Sequence, residues 1–337
     1  MTIKNKDIAK MLNLSPASVS LARNNKPGVS EQTRKMVNEL LKDLEREKIS
    51  GESAEVQGTI ALVMHKAYGK IIAETQFFLT VTEIIQEKAL ELGYHVIILQ
   101  FNAGDDIGDF IKHLNELNIC GLFLLATEIQ NVDLEHYKKI GLPMLVLDSF
   151  FQNSMATSVV IDNYDAMYQV IRYSVQMGHR KIGFLRSKIE NNNFKERYQG
   201  FQLALEEFGI EKEPNYIFEV GTGIDDSYED MKQILSEGRE LPSLLVAGND
   251  ILAIGALKAL KEYGKKVPDD ISIIGFDDMP VTRMMDPPLC SVKIYMGQFG
   301  EQAVSQMVGL LGGKTQGHVC VRVGCELMVR NSVKKLN

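Results

Sequence analysis

Residues 243–278 read SLLVAGNDILAIGALKALKEYGKKVPDDISIIGFDD, and their pattern decides the fold. Ser243–Ala247 is a short apolar run, Ile251–Tyr263 repeats apolar residues at helical spacing, and Ile271–Phe276 is a second apolar run. Apolar strands that alternate with helices are covered on both faces, which is the pattern of a parallel sheet. The same alternation starts at Gly58. Further strands are expected at Thr59–Met64, His95–Gln100, Gly121–Ala126, Met144–Leu147 and Lys181–Leu185, with helices at Leu79–Leu92, Tyr164–Met177 and Phe194–Phe208. These are too many units for one small sheet, so two doubly wound α/β lobes are expected. Ligands of such sheets bind beyond the carboxyl ends of the strands, so polar residues there carry most of the functional information.

The first 50 residues are different. They hold ten lysines and arginines against six acids, whereas the whole chain of 337 residues carries a net charge of −7. A basic head on an acidic body points to nucleic acid for the head. Three short helices are expected there. The first covers about Lys6–Leu12. Ser15 caps the second, Pro16 opens it, and it runs to about Arg23. Ser30 caps the third, whose apolar stripe is Thr33, Met36, Val37, Leu40, Leu41 and Leu44. Three helices in this space, the first two joined by a tight turn, match the helix-turn-helix pattern. Residues 46–58 (REKISGESAEVQG) read as a linker.

The composition, 45% hydrophobic and 24% charged, is that of a globular protein, and no apolar run reaches the roughly 18 residues of a membrane span. With no apolar signal core at the N-terminus, a cytoplasmic location is expected. The four cysteines (Cys120, Cys290, Cys320, Cys325) form no CxxC motif and are expected to be buried, reduced thiols. An enzyme is disfavoured. The chain has no G-x-S-x-G, no H-E-x-x-H and no G-x-G-x-x-G after a strand, and no cofactor or metal is implied. Gly312-Gly313-Lys314-Thr315 looks like the end of a phosphate loop, but it follows a helix and position 308 is Val, so a helix-ending turn is expected.

Several motifs, in order, carry a family resemblance. The head has Lys6-Asp7-Ile8-Ala9-Lys10, Leu14-Ser15-Pro16-Ala17-Ser18-Val19-Ser20 and Asn24-Asn25-Lys26-Pro27-Gly28-Val29-Ser30-Glu31-Gln32-Thr33-Arg34. The body has Met177-Gly178-His179-Arg180-Lys181-Ile182-Gly183-Phe184, then Gly248–Ala256, Val267–Asp278, Pro287-Pro288-Leu289 and Glu326–Arg330. Over nearly its whole length the chain resembles the lac repressor family of bacterial transcription regulators. That resemblance implies a helix-turn-helix head (1–45), a hinge (46–58) and a two-lobed core of periplasmic-binding-protein type. The N-lobe would take 59–161 with about 294–321, and the C-lobe 162–293 with about 322–337.

By resemblance, the helix opened by Pro16 lies in the DNA major groove, with Ala17, Ser18 and Leu21 toward the bases and Val19 packed inward. Ser20, Arg23, Asn24, Lys26, Thr33 and Arg34 are the candidate phosphate contacts. Leu21 stands where many members carry a base-reading Arg. The usual Gly-Tyr-x-Pro-Asn hinge is missing, and Ile49 is the one apolar candidate for a minor-groove wedge. The resemblance gives Asp148, Arg197, Asn249 and Asp277 as polar effector anchors, and three of these follow predicted strands. His65, Tyr68 and Phe77 with Phe78 are further candidates, the aromatics as a wall against a sugar ring. Gly221-Thr222-Gly223 replaces an aromatic that sugar-responsive members often have, and Ile294 replaces a frequent Gln. Asp162 is expected to cap the next helix, and the stripe Val81, Ile84, Ile85, Lys88, Leu92 to pack on the sheet or across a dimer.

The expected protein is therefore a DNA-binding regulator, a repressor, acting as a homodimer on a near-palindromic double-stranded operator and controlled by a small sugar-like effector. The alternatives are a solute-binding protein without a regulatory role, or a regulator whose effector is a purine or a partner protein.

Overall fold

The computed structural model describes residues 8–9, 11–12, 14–23, 28–38, 40, 56–67 and 77–336. Asn24, Lys26, Ile49 and Tyr68, named above, lie outside these residues. Two compact units divide the chain, the smaller of residues 1–57 with 91–93 and the larger of residues 58–90 and 94–337.

In the head, Ile8, Ala9, Val19, Ala22 and Val37 form a small buried core, with Leu12, Leu14, Val29 and Leu40 packed against it. The second helix spans Pro16–Arg23. Ser15 caps it as expected, its Oγ accepting from the Ser18 N–H at 3.0 Å. Ser30 caps the helix over 31–38 in the same way, accepting from the Thr33 N–H at 3.1 Å.

The larger unit contains two six-stranded sheets. The first lobe begins with β1 (Gly58–Lys66), α1 (Phe77–Glu91), β2 (Tyr94–Asn102), α2 (Ile107–Glu116), β3 (Ile119–Leu125), α3 (Asn131–Lys138), β4 (Met144–Leu147) and β5 (Thr157–Ile161). The second continues with α4 (Asn163–Gln176), β6 (Ile182–Ser187), α5 (Asn192–Glu207), β7 (Ile217–Val220), α6 (Ile224–Ser236), β8 (Leu244–Ala247), α7 (Asp250–Glu262), β9 (Ser272–Asp277) and β10 (Cys290–Ile294). Then α8 (Met296–Leu311) packs back on β3, β4 and β5, β11 (Cys320–Val323) pairs with β5, and β12 (Cys325–Met328) pairs with β10. The chain thus passes between lobes after Ile161, after Ile294 and at Gly324.

Each lobe contains the strand order 2-1-3-4-5: β2-β1-β3-β4-β5 and β7-β6-β8-β9-β10. The pairing is parallel with one exception among the described strands: β12 runs antiparallel to β10, which corrects the all-parallel expectation. Because helices cover both faces, strands such as β3 and β8 are buried at nearly every position. Gly255 lets α6 and α7 touch, since a Cβ there would come within 2.5 Å of the Ile224 carbonyl oxygen. Gly312-Gly313 ends α8 as a turn, with Lys314 N–H returning to the Gly309 carbonyl at 3.0 Å. Cys290 and Cys325 are buried and Cys120 is half-buried, but Cys320 is exposed on the outer strand β11, against the expectation that all four are buried. On α1, Val81 and Ile85 are buried while Leu79, Leu90 and nearby Leu92 are exposed, so the helix packs one stripe on the sheet and leaves apolar side chains outside it. Among the described residues no helix is long and apolar enough to cross a membrane.

Candidate functional site

The carboxyl ends of both sheets face one cleft between the lobes. Its walls combine Phe77, Phe78, Ile161, Phe194 and Ile294 with Thr127, Asp148, Asn191, Asn193, Arg197, Asn249 and Asp277. Each polar wall residue apart from Asn193 and Arg197 follows or ends a strand: Thr127 after β3, Asp148 after β4, Asn191 after β6, Asn249 after β8, Asp277 at the end of β9. This is where a doubly wound sheet leaves room for a ligand, because adjacent strands there diverge into helices on opposite faces.

Four of the expected anchors, Asp148, Arg197, Asn249 and Asp277, meet in this cleft, and so does Phe77. Arg197, only 4% exposed, is held from several sides. Its Nε donates to Asn163 Oδ1 at 3.0 Å and its Nη1 to the Gly248 carbonyl at 2.8 Å, while Nη2 lies 3.4 Å from Asp277 Oδ1. Its guanidinium stacks 3.6 Å from the Phe276 ring centre. Asn163 is oriented in turn, donating to Asn193 Oδ1 and Glu196 Oε2. Asp162 caps α4, accepting from the Asp165 N–H. Asn193 donates to the backbone carbonyl of Asp148 at 2.9 Å and so ties α5 of the C-lobe to the end of β4 in the N-lobe.

Asp148 and Asp277 both have a positive φ, 65° and 107°. Burial pushes each carboxyl up to about 6. For Asp148 the Thr127 hydroxyl, donating at 2.5 Å, and the Asn193 amide hold it back from rising further. For Asp277 the opposing influence is Arg197. Asn249 also caps α7, its Oδ1 accepting from the Leu252 N–H at 3.0 Å, which leaves its amide NH2 for the cleft. Asn191 does the same for α5, accepting from the Phe194 N–H at 2.8 Å. Phe77 packs edge-on against Phe78 and Phe299, so it belongs to the core and to the wall at once.

His65 does not join the cleft. It lies within β1, which runs on to Lys66, and is 2% exposed. Its Nδ1 is 2.9 Å from the Tyr137 hydroxyl and its ring stacks on Phe101. This corrects its assignment to an effector-contacting loop. Gly221-Thr222-Gly223 also stands outside the cleft lining: Gly221 N–H donates to Asp230 and Gly223 starts α6. The adjacent acids divide their work. Asp278 is buried and pairs with Arg283 at 2.8 Å and with Arg330. Behind it the fully buried Asp250 accepts from Ser291 Oγ at 2.7 Å and Met279 N–H at 2.8 Å, and burial raises its carboxyl well above the usual range. Gly275 is required here, since a Cβ would collide with the Asp250 carboxylate. Asp250 and Asp278 thus brace the turn that presents Asp277.

Thr127, Asn191, Asn193, Phe194 and Ile161 line the cleft without having been singled out. The one signal for them was position: Thr127 follows the predicted strand Gly121–Ala126, and Asn191–Asn193 precede a predicted helix.

In the head, Pro16 and Ala17 are exposed, Arg23 too, while Ser18, Ser20, Leu21, Thr33 and Arg34 are partly covered. Ser18 and Thr33 hydroxyls lie 2.9 and 2.7 Å from the capping hydroxyls of Ser15 and Ser30. Val19 is fully buried, as expected. Leu21 lies beside Gly28, where a Cβ would come within 3.1 Å of it.

The fold is two-lobed, and the polar groups of the cleft between the lobes are held by hydrogen bonds from several elements. Residues 171–333 match the periplasmic binding protein-like domain. The chain is 28% identical over 336 residues to the HTH-type transcriptional repressor PurR of Mannheimia succiniciproducens, covering 98% of each, and 29% identical to that of Histophilus somni, covering 98% of this chain and 99% of the relative. In fold it is similar to the transcriptional regulator CelR in complex with cellobiose (TM-score 0.73, 22% identity, 98% of this chain and 100% of that one). It is also similar to the lac repressor dimer bound to operator and the anti-inducer ONPF (TM-score 0.71, 20% identity, 99% and 100%). The resemblance read from the sequence is thus met by relatives that are transcriptional repressors and by a fold similar to that of the lac repressor.

Proposed function

We propose that this protein is a cytoplasmic transcriptional repressor that binds a near-palindromic operator as a homodimer and is controlled by a small effector in the cleft between its lobes. The observation that carries this reading is the cleft itself. Two carboxylates, a guanidinium and three asparagine amides converge there beside three phenylalanines. Vicinal hydroxyls both donate and accept, which suits paired carboxylates and amides, and a phenyl face suits the apolar side of a pyranose or furanose ring. A sugar is the first reading of the effector, since two fold neighbours are in complex with cellobiose and with ribose. A purine is the second, favoured by the relatives named PurR. In the head, Ala17, Ser18 and Leu21 are the proposed base-facing residues, with Arg23 and Arg34 on phosphates.

Isothermal titration of the full chain with pentoses, hexoses and disaccharides, and separately with purine bases, tests the effector. A saturable heat lost in Asp277→Ala, with DNA retention kept, is the expected outcome. Normal titration in that variant would remove Asp277 from the site. Binding of the nucleobases alone would replace the sugar.

A further inference from the structure

The charge balance of the cleft distinguishes between classes of ligand. Asp148 is 2% exposed. Thr127 Oγ1 donates to its Oδ2, but Oδ1 receives no hydrogen bond from the chain. Arg197 is near enough to favour its charged form, but the cleft-wall ion pair that this guanidinium makes, at 3.4 Å, is with Asp277. The cation of the cleft wall is Arg197, and three of the five guanidinium hydrogens are already directed at Asn163, Gly248 and Asp277. The wall thus offers a buried acceptor that a ligand hydroxyl, N–H or ammonium would satisfy. A phosphate or carboxylate placed there would meet a like charge away from water, with the guanidinium engaged elsewhere.

Resting on the reading of this cleft as the effector site, we propose that the effector is an unphosphorylated hydrogen-bond donor, and that Asp148 excludes phosphate esters. Asp148 then acts as a specificity residue. Its free oxygen selects a neutral or cationic ligand, and the same polyol carrying a phosphate is rejected although the cleft could orient its ring.

The test is ligand-induced thermal stabilisation of the full chain near neutral pH, at matched ionic strength. The probes are ribose and ribose 5-phosphate, glucose and glucose 6-phosphate, adenosine and its 5′-monophosphate, and inorganic phosphate alone. In wild type no phosphorylated member should stabilise more than its parent, and a parent that binds should lose about a hundredfold in affinity on phosphorylation. Millimolar inorganic phosphate should act no differently from chloride on wild type, yet stabilise Asp148→Asn, whose amide removes the charge and can donate. Asp148→Ser serves as the second variant if Asp148→Asn does not fold. A phosphate ester that binds wild type as tightly as its parent would overturn the proposal, and so would inorganic phosphate that leaves wild type and both variants alike. Retention of specific DNA fragments is a separate readout: its loss would count against the regulatory reading, and its presence beside phosphate-ester binding would leave that reading standing.

Discussion

The two lobes repeat one plan and end it differently. In each, a carboxylate stands after the fourth strand of a 2-1-3-4-5 order, in a left-handed backbone conformation and facing the shared cleft: Asp148 after β4, Asp277 at the end of β9. The C-lobe supplies its acid with a fixed partner, Arg197, and braces the turn with Asp250, Asp278, Arg283 and Arg330. The N-lobe gives Asp148 one hydroxyl and leaves an oxygen unmatched. One half of the cleft is thus pre-arranged, while the other keeps an unsatisfied group whose desolvation a ligand can offset.

The strongest way to break this comparison is Arg197→Ala. It takes from the buried Asp277 its ion-pair partner among the described residues and removes two further hydrogen bonds, so a loss of about 3–5 kcal/mol in urea unfolding is expected. A loss near zero would mean that the C-lobe acid needs no fixed partner.

Asp148→Asn should move stability the other way. The folded-state carboxyl titrates at about 6, above the ordinary value of about 3.9, so the folded protein holds its proton more tightly than the unfolded chain does. That contribution is fully present below about pH 4 and is lost as the pH rises through about 6. Asn has no such loss. The variant should therefore gain about 1–3 kcal/mol over wild type near pH 7.5 relative to the difference at pH 4. Parallel stability–pH curves would refute the assignment.

Smaller effects are expected in the head. Ser15→Ala removes the cap of the Pro16–Arg23 helix and should cost about 1 kcal/mol there, read by amide exchange of the head alone while the core exchanges unchanged. Leu21→Ala should alter the preferred bases of the retained DNA with little change in phosphate-driven affinity. An identical binding motif would take Leu21 off the base-reading face.

Much of this was legible in the sequence because buried parallel strands must be apolar on both faces. Met144–Leu147 was read to the residue, and Ser243–Ala247 and Ile271–Phe276 to within one residue at each end. The strands Thr157–Ile161, Ile217–Val220, Cys290–Ile294, Cys320–Val323 and Cys325–Met328 were not singled out. They are four or five residues long, and in β11 two of the four residues are exposed, so no continuous apolar run marks it. Asp148, Asn249 and Asp277 came from the family resemblance, and their places at recognisable strand ends agree with it. Asn193 could not be singled out, since a polar residue in the first turn of a helix is ordinary, and its contact with the Asp148 carbonyl depends on the meeting of two lobes. His65 was misplaced by one physical detail: β1 runs past it, which turns its ring into the packing of Phe101 and Tyr137 rather than toward the cleft.

Sequence-specific DNA binding is the central claim, and its most direct test is retention of sheared genomic DNA by the purified full chain at two salt concentrations, followed by sequencing. The account predicts a few fragments that share a near-palindrome and persist at the higher salt. Uniform retention that disappears steeply with salt would reveal phosphate binding alone and contradict it.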